Sequence, residues 1–316
     1  MKKRFAQVIG VVLAAPLIAL FVMGQTWAAD SFYVDPNSEP AVWARNHADD
    51  PRAAKINESI VHVPTAQWFG SWNKDVHAAV SQFVDAANAA HQVPMLVAYD
   101  IPNRDCGGAS AGGAANDDAY RAWIDAFSQG IGKSQAVVVV EPDALAQFDC
   151  LKTADEQGAR MNLLSYAVSR LRLNAPAADI YLDAGNVHWI AADVMANRLH
   201  DAGIGEAKGF ALNVSNFYTT QESTAYANGI NGVLQSRFGY TKPVVIDTSR
   251  NGNGSNGQWC NPAGAKLGEP TGDASGQILL AWIKNPGDSD GPCGVGPTLK
   301  AGVFSPDLAV RLIDGN

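Results

Sequence analysis

Seven short runs rich in Val, Ile and Leu recur along the chain: Val61–Phe69, Met95–Ile101, Ala136–Val140, Ile180–Leu182, Phe210–Val214, Val244–Ile246 and Ile278–Ile283. Between them the apolar positions change period. Within Asp75–Ala90, Val76, Val80, Phe83, Val84 and Ala87 fall on one side at three- and four-residue spacing, and Tyr120, Trp123, Ile124, Phe127 and Ile131 repeat the pattern. Weaker versions span Met161–Leu173 and Asp193–Leu199. This alternation predicts strands separated by amphipathic helices, with Trp123 in the core. Strand starts recur every 30 to 44 residues, one βα unit each. Continuous stretches such as Val137–Val140 suit parallel strands covered on both faces.

The polar residues at the run ends choose between two α/β architectures. Almost every run closes on Trp68, Tyr99-Asp100, Glu141-Pro142-Asp143, Asp183, Asn213 and Asn216, Asp247, or Lys284. A β/α barrel gathers its functional groups at the C-terminal ends of all its strands. An open doubly wound sheet draws on one switch point. The pattern therefore predicts a single-domain seven-stranded parallel barrel. Glu141 and Asp143, two residues apart, are expected to share a face and both to enter the barrel mouth.

Composition narrows the class. The 316 residues are 47% hydrophobic and carry a formal charge of −8, with no Lys/Arg cluster beyond the first four residues. That excludes a disordered chain and argues against nucleic acid as partner. Lys2, Lys3 and Arg4 precede an apolar run from Val8 to Met23 and a small-residue site at Ala28. Residues 1–28 read as a cleaved signal peptide, because sixteen residues interrupted by Pro16 are short for a span of roughly 20. The mature part, 29–316, would carry 20 basic against 31 acidic residues and have no membrane association. A secreted chain with Cys106, Cys150, Cys260 and Cys293 is expected to form two disulfides. Three pairings are open; neighbours in sequence close the shortest loops, each stabilising by roughly 3–4 kcal/mol. The spacings fit no zinc site, so neither metal nor cofactor is expected.

Two motif matches lack their context. Gly108-Ala109-Ser110-Ala111-Gly112 fits a serine-hydrolase elbow, but no strand runs directly into the serine. Gly252 to Gly257 fits a dinucleotide loop, but Gln258-Trp259-Cys260-Asn261-Pro262 opens no helix. The acidic residues carry more. Asp105 follows one strand, Asp143 closes another, and Asp288 and Asp290 follow the last. Trp68, Tyr99, Trp189 and Trp259 lie near strand ends. Carboxylates among exposed aromatics suit a sugar cleft, where indoles stack on pyranose faces and carboxyls bind hydroxyls. Glycoside hydrolysis needs one carboxyl kept protonated and a second group to manage water or the intermediate. A non-catalytic sugar-binding barrel is the alternative on these residues alone.

Tyr99-Asp100-Ile101-Pro102-Asn103-Arg104-Asp105-Cys106 and Val139-Val140-Glu141-Pro142-Asp143 resemble the two signature segments of glycoside hydrolase family 6, the inverting β-1,4-glucanases. Further matches are Tyr181 to Gly185, Asn213 to Asn216, Ile246 to Gly252, Trp259-Cys260-Asn261 and Trp282-Ile283-Lys284. They run in order from about residue 40 to the C-terminus. The resemblance implies a distorted barrel of seven parallel strands, a catalytic domain over 29–316 and a β-1,4-glucan or cello-oligosaccharide as partner, with the chain a monomer. It implies Asp143 as general acid, Asp105 as the carboxylate that raises its pKa, and Asp290 as the residue often proposed as base. Tyr99 would sit beneath the sugar at the cleavage point, with Lys284 and Asp288 on nearby hydroxyls. Trp68, Trp189 and Trp259 would stack on sugars, and Asp183, Asn213 and Asn216 would join the substrate-binding set. The implied disulfides are Cys106–Cys150 and Cys260–Cys293.

Two positions depart from the family pattern. Asn186 stands where many members have His, and the water-orienting serine is either Ser110 or replaced by Ala111. Only Gly291 and Pro292 separate Asp290 from Cys293. Tunnel-forming cellobiohydrolases resemble this layout with a much longer insertion there. The short link implies an open groove and internal cleavage, with a cellobiohydrolase as the alternative.

Overall fold

Each of the seven apolar runs overlaps a strand in the structure, a computed structural model that describes residues 31–273 and 277–316. The expected signal peptide lies outside the described residues. The strands are β1 (Gln67–Phe69), β2 (Met95–Ala98), β3 (Ala136–Val140), β4 (Ala178–Asp183), β5 (Gly209–Leu212), β6 (Val244–Asp247) and, after the two-residue β7 (Gly272–Asp273), β8 (Ile278–Ala281). They pair in the order β1-β2-β3-β4-β5-β6-β8, all parallel, with β7 added antiparallel beside β8. The run Val61–Phe69 yields only three strand residues. Its first residue ends a helical turn over Asn57–Val61, and Pro64, which has no N–H to donate, delays the strand.

Closure of the barrel is slight. One parallel bridge, Thr65 to Trp282, joins the chain just before β1 to the chain just after β8, with the Ala66 N–H donating to the Trp282 carbonyl at 2.9 Å. The Thr271 hydroxyl stitches the same seam, donating to Pro64 and accepting from the Trp282 N–H. This gives the expected distorted barrel.

Residues alternate between two cores. Val97, Val139, Tyr181, Ala211, Val245 and Leu279 fill the barrel interior. Leu96, Val138, Ile180, Phe210, Ile246 and Leu280 face outward against the helices. Strands buried on both faces read as continuous apolar runs for this reason.

The helices are α1 (Glu39–Asn46), α2 (Pro51–Ile56), α3 (Val76–Ala89), α4 (Asp117–Ile131), α5 (Ala154–Asn174), α6 (Ala192–Asp201), α7 (Thr220–Phe238) and α8 (Pro306–Asp314). α3 to α6 match the four amphipathic stretches. α7 fills the βα unit between the fifth and sixth runs without an amphipathic stretch that stands out in the sequence, because Gly229, Gly232 and several small polar residues dilute its stripe of Tyr226, Ile230 and Leu234. A capping box of Thr219 and Glu222 starts it, and left-handed Gly239 ends it. α1, α2 and α8 form a satellite core with Trp282 that covers the seam.

Candidate active site

The loops leaving the strand ends surround a cleft of about 950 Å³. Asp105, Asp143, Asp288, Asp290, Trp68, Tyr99, Trp189, Asn216, Trp259 and Lys284 all line it. Positive φ in a non-glycine residue is uncommon. Of the nine such residues described, eight lie in these loops, among them Asp105 (56°) and Asp143 (71°). Backbone strain clusters where side chains must be re-aimed.

Asp183 and Asn213 do not line the cleft. Asp183 is buried, and its Oδ2 accepts the N–H groups of Asp143 (2.9 Å) and Gly185 (3.0 Å). Asn213 is wholly buried and spends its amide on the carbonyls of Tyr218 and Asp247. Both support the cleft floor rather than face it. Glu141 also departs from expectation. At φ 51° it breaks the two-residue alternation, so its carboxylate turns from the mouth and accepts the N–H groups of Asp100 and Ile101. Asp247 does the same, accepting from Ser215, Ser249 and Lys284. Glu141, Asp183 and Asp247 therefore each tie neighbouring loops together.

On one wall, burial and then the charges of Asp183 and Asp105 push the Asp143 carboxyl well above the ordinary carboxylate range, against the pull of Lys284. Asp105 is gripped by the Ser110 N–H on Oδ2 (2.7 Å) and the Gln147 amide on Oδ1 (3.0 Å). Arg104 does not pair with it: its guanidinium lies 4.5 Å from the Tyr99 ring centroid and 5.3 Å from that of Trp72, donating to the Tyr99 carbonyl. Tyr99 meets Trp68 edge to face at 5.2 Å, and the Trp68 indole donates to the Ile283 carbonyl. Burial, followed by Asp143 and Asp105, raises the Tyr99 phenol well above its ordinary value, keeping it neutral beside the two acids.

The other wall is built on cations. Burial raises the Asp290 carboxyl, but Arg250 at 2.9 Å and Lys284 at 3.7 Å outweigh it and hold the group below its ordinary value. The Asn261 N–H adds a bond to the same oxygen as Arg250. Asp288 is pushed up to about 7, mainly by burial. Disulfides Cys106–Cys150 and Cys260–Cys293, the pairing the resemblance implied, staple one loop pair on each wall.

Three contributors went unread in the sequence. Trp72 lines the cleft 53% exposed, and its place soon after β1 was a usable signal. Arg250 and Gln147 act through contacts 40 and 42 residues away in sequence, which no local pattern reveals. Ser110 and Ala111 both line the cleft, and Asn186 reaches it although nearly buried.

A parallel barrel with one carboxyl pushed far above the ordinary range, another held below it, and exposed indoles in one cleft has the build of a glycosidase. The chain belongs to the glycosyl hydrolases family 6, whose model matches residues 27–315. It is 50% identical to Endoglucanase 1 of Streptomyces halstedii over 92% of this chain and 90% of that protein. It is 43% identical to Endoglucanase A of Cellulomonas fimi, over 89% of this chain but 60% of that longer protein. The structure of endoglucanase Cel6 from Mycobacterium tuberculosis, solved with a methyl-cellobiosyl-thio-cellobioside, superposes with a TM-score of 0.83 at 42% identity, covering 90% of this chain and 96% of that one.

Proposed function

We propose that this chain is an exported, monomeric endo-β-1,4-glucanase that hydrolyses internal bonds of cellulose and related β-glucans with inversion. The observation that carries this is the contrast between two carboxyls lining one cleft: Asp143, buried beside Asp183 and Asp105, is pushed well above the ordinary carboxylate range, while Asp290, beside Arg250 and Lys284, is held below it. Asp143 protonates the oxygen joining two glucoses as that bond breaks. Water attacks the anomeric carbon from the opposite face, so the new end has the inverted configuration. Its proton leaves toward the carboxylates, with Asp105 helping to take it. Asp290 stands as the base, though its lowered pKa and its bonds to Arg250 and Asn261 make it a weak acceptor. Tyr99 lies beneath the sugar being cleaved, while Lys284, Asp288 and Asn216 take hydroxyls.

Trp68, Trp189 and Trp259 offer stacking surfaces. Trp189 and Trp259 are 40% and 59% exposed, which favours an open groove that a chain enters sideways. No helix among the described residues is long and apolar enough to cross a membrane.

The test pairs viscosity with reducing ends on soluble carboxymethylcellulose, and follows fresh products by NMR. Rapid viscosity loss per bond cut and α-anomers appearing first are expected. Slow viscosity loss would indicate attack from chain ends, and β-anomers first would exclude inversion. Binding of cello-oligosaccharides without any cleavage would leave only a sugar-binding barrel.

A further inference from the structure

Resting on the reading of Asp143 as acid and Asp105 as its partner, we propose that Gln147 is the positioning residue that couples these two groups. Its backbone N–H donates to the carbonyl of Asp143 at 2.8 Å. Its side-chain amide crosses to the neighbouring loop and donates to Oδ1 of Asp105 at 3.0 Å. One residue thus fastens the main chain of the first and the carboxylate of the second.

The loop it reaches needs such a hold. Asp105 and Cys106 have φ values of 56° and 48°, a left-handed conformation that costs most residues roughly 1–2 kcal/mol each. Gly108 clears the space beside them. A Cβ there would stand 2.5 Å from Oδ2 of Asp105, so a side chain at this position would drive the carboxylate from its place. The Cys106–Cys150 disulfide joins the same two loops, three residues beyond Gln147. It fixes their spacing without touching the carboxylate. Aiming is left to the donors, and there are two: the Ser110 N–H on Oδ2 and the Gln147 amide on Oδ1. Each oxygen of the carboxylate is thereby given one donor, which fixes its direction as well as its distance. A buttress that acted only on loop shape would have no need of an N–H aimed at an oxygen.

Gln147→Met keeps the length and removes the donor. With soluble cello-oligosaccharides, kcat is expected to fall about tenfold while KM moves less than twofold, as for an interaction felt mainly in the transition state. In an Asp105→Asn background the same substitution should add almost nothing, since the partner charge is gone. Gln147→Glu gives a second handle: a deep loss at neutral pH that recovers as the medium turns acid and the new carboxyl can donate. An unchanged kcat in folded Gln147→Met would overturn the proposal. So would an undiminished tenfold loss in the Asp105→Asn background, or a Gln147→Glu deficit blind to pH. If Asp105→Asn alone retains normal activity, the assignment of Asp105 fails, and the role of Gln147 goes with it.

Discussion

The two walls of the cleft use the same kind of side chain to opposite ends. The wall carrying Asp143 surrounds its carboxyl with burial and two further carboxylates, raising the pKa well above the ordinary range. The wall carrying Asp290 buries a carboxyl as deeply but sets Arg250 and Lys284 against it, and the pKa falls. Both walls have one disulfide and loops with left-handed non-glycine residues. Covalent framework and burial are thus common to the two; the neighbouring charges decide which aspartate keeps its proton. Two carboxyls with separated pKa values are what acid-catalysed bond cleavage needs.

The comparison breaks most severely at its acid. Asp143→Ala is expected to lower kcat on unactivated glucan by about 10²- to 10⁴-fold with the melting temperature nearly unchanged, the range for loss of general acid catalysis. Asp290→Asn should cost less, because a carboxylate already engaged by two cations is a poor proton acceptor. Equal losses in parallel kinetics would mean that the two walls share the proton work evenly.

Next in size is the cationic wall's stability. Arg250 is almost wholly buried and bonds both Asp290 and the Ser215 carbonyl, with its guanidinium 4.3 Å from the Phe217 ring centroid. Arg250→Leu strips the nearer cation from a buried carboxylate and should cost about 3–5 kcal/mol in denaturant unfolding. A loss under 1 kcal/mol would show that Lys284 alone suffices.

The smallest effect is a slope. Glu141 and Asp183 are each pushed up to about 7 from ordinary values of 4.5 and 3.8, chiefly by burial. The folded chain then holds more protons than the unfolded one between those values and about pH 7. Their contribution to stability therefore falls as pH rises through that window. Asp290 has the opposite sign: its contribution is present above 3.8 and is lost only as acid takes it through its lowered pKa. The melting temperature should decline by a few degrees from about pH 5 to about pH 8. Asp183→Asn should flatten that decline, and an unaltered slope would remove Asp183 from the account.

Much of this architecture was legible in the chain. Runs such as Ala136–Val140 are buried on both faces, and their length and composition follow directly. Run-end polarity marked the cleft because every strand delivers its loop to one rim. Where legibility failed, a local rule met a non-local demand. Glu141 should share the mouth with Asp143 by alternation, yet positive φ re-aims it outward to bind Asp100 and Ile101. Asn213 sits at the right place in sequence, but the rim's own unpaired carbonyls claim its amide. Gln147 and Arg250 become visible only when loops some forty residues apart are brought together.

The seam between β1 and β8 gives Trp68 a double duty. Its ring faces the groove, while its indole nitrogen clasps Ile283 on the far side of a joint that one bridge and one threonine also stitch. Anyone enlarging the groove by trimming this ring would also unlatch the rim of the barrel. Phe, the conservative choice for a sugar platform, keeps the flat surface yet drops the latch, so widening the groove and loosening its frame cannot be tuned independently at this position.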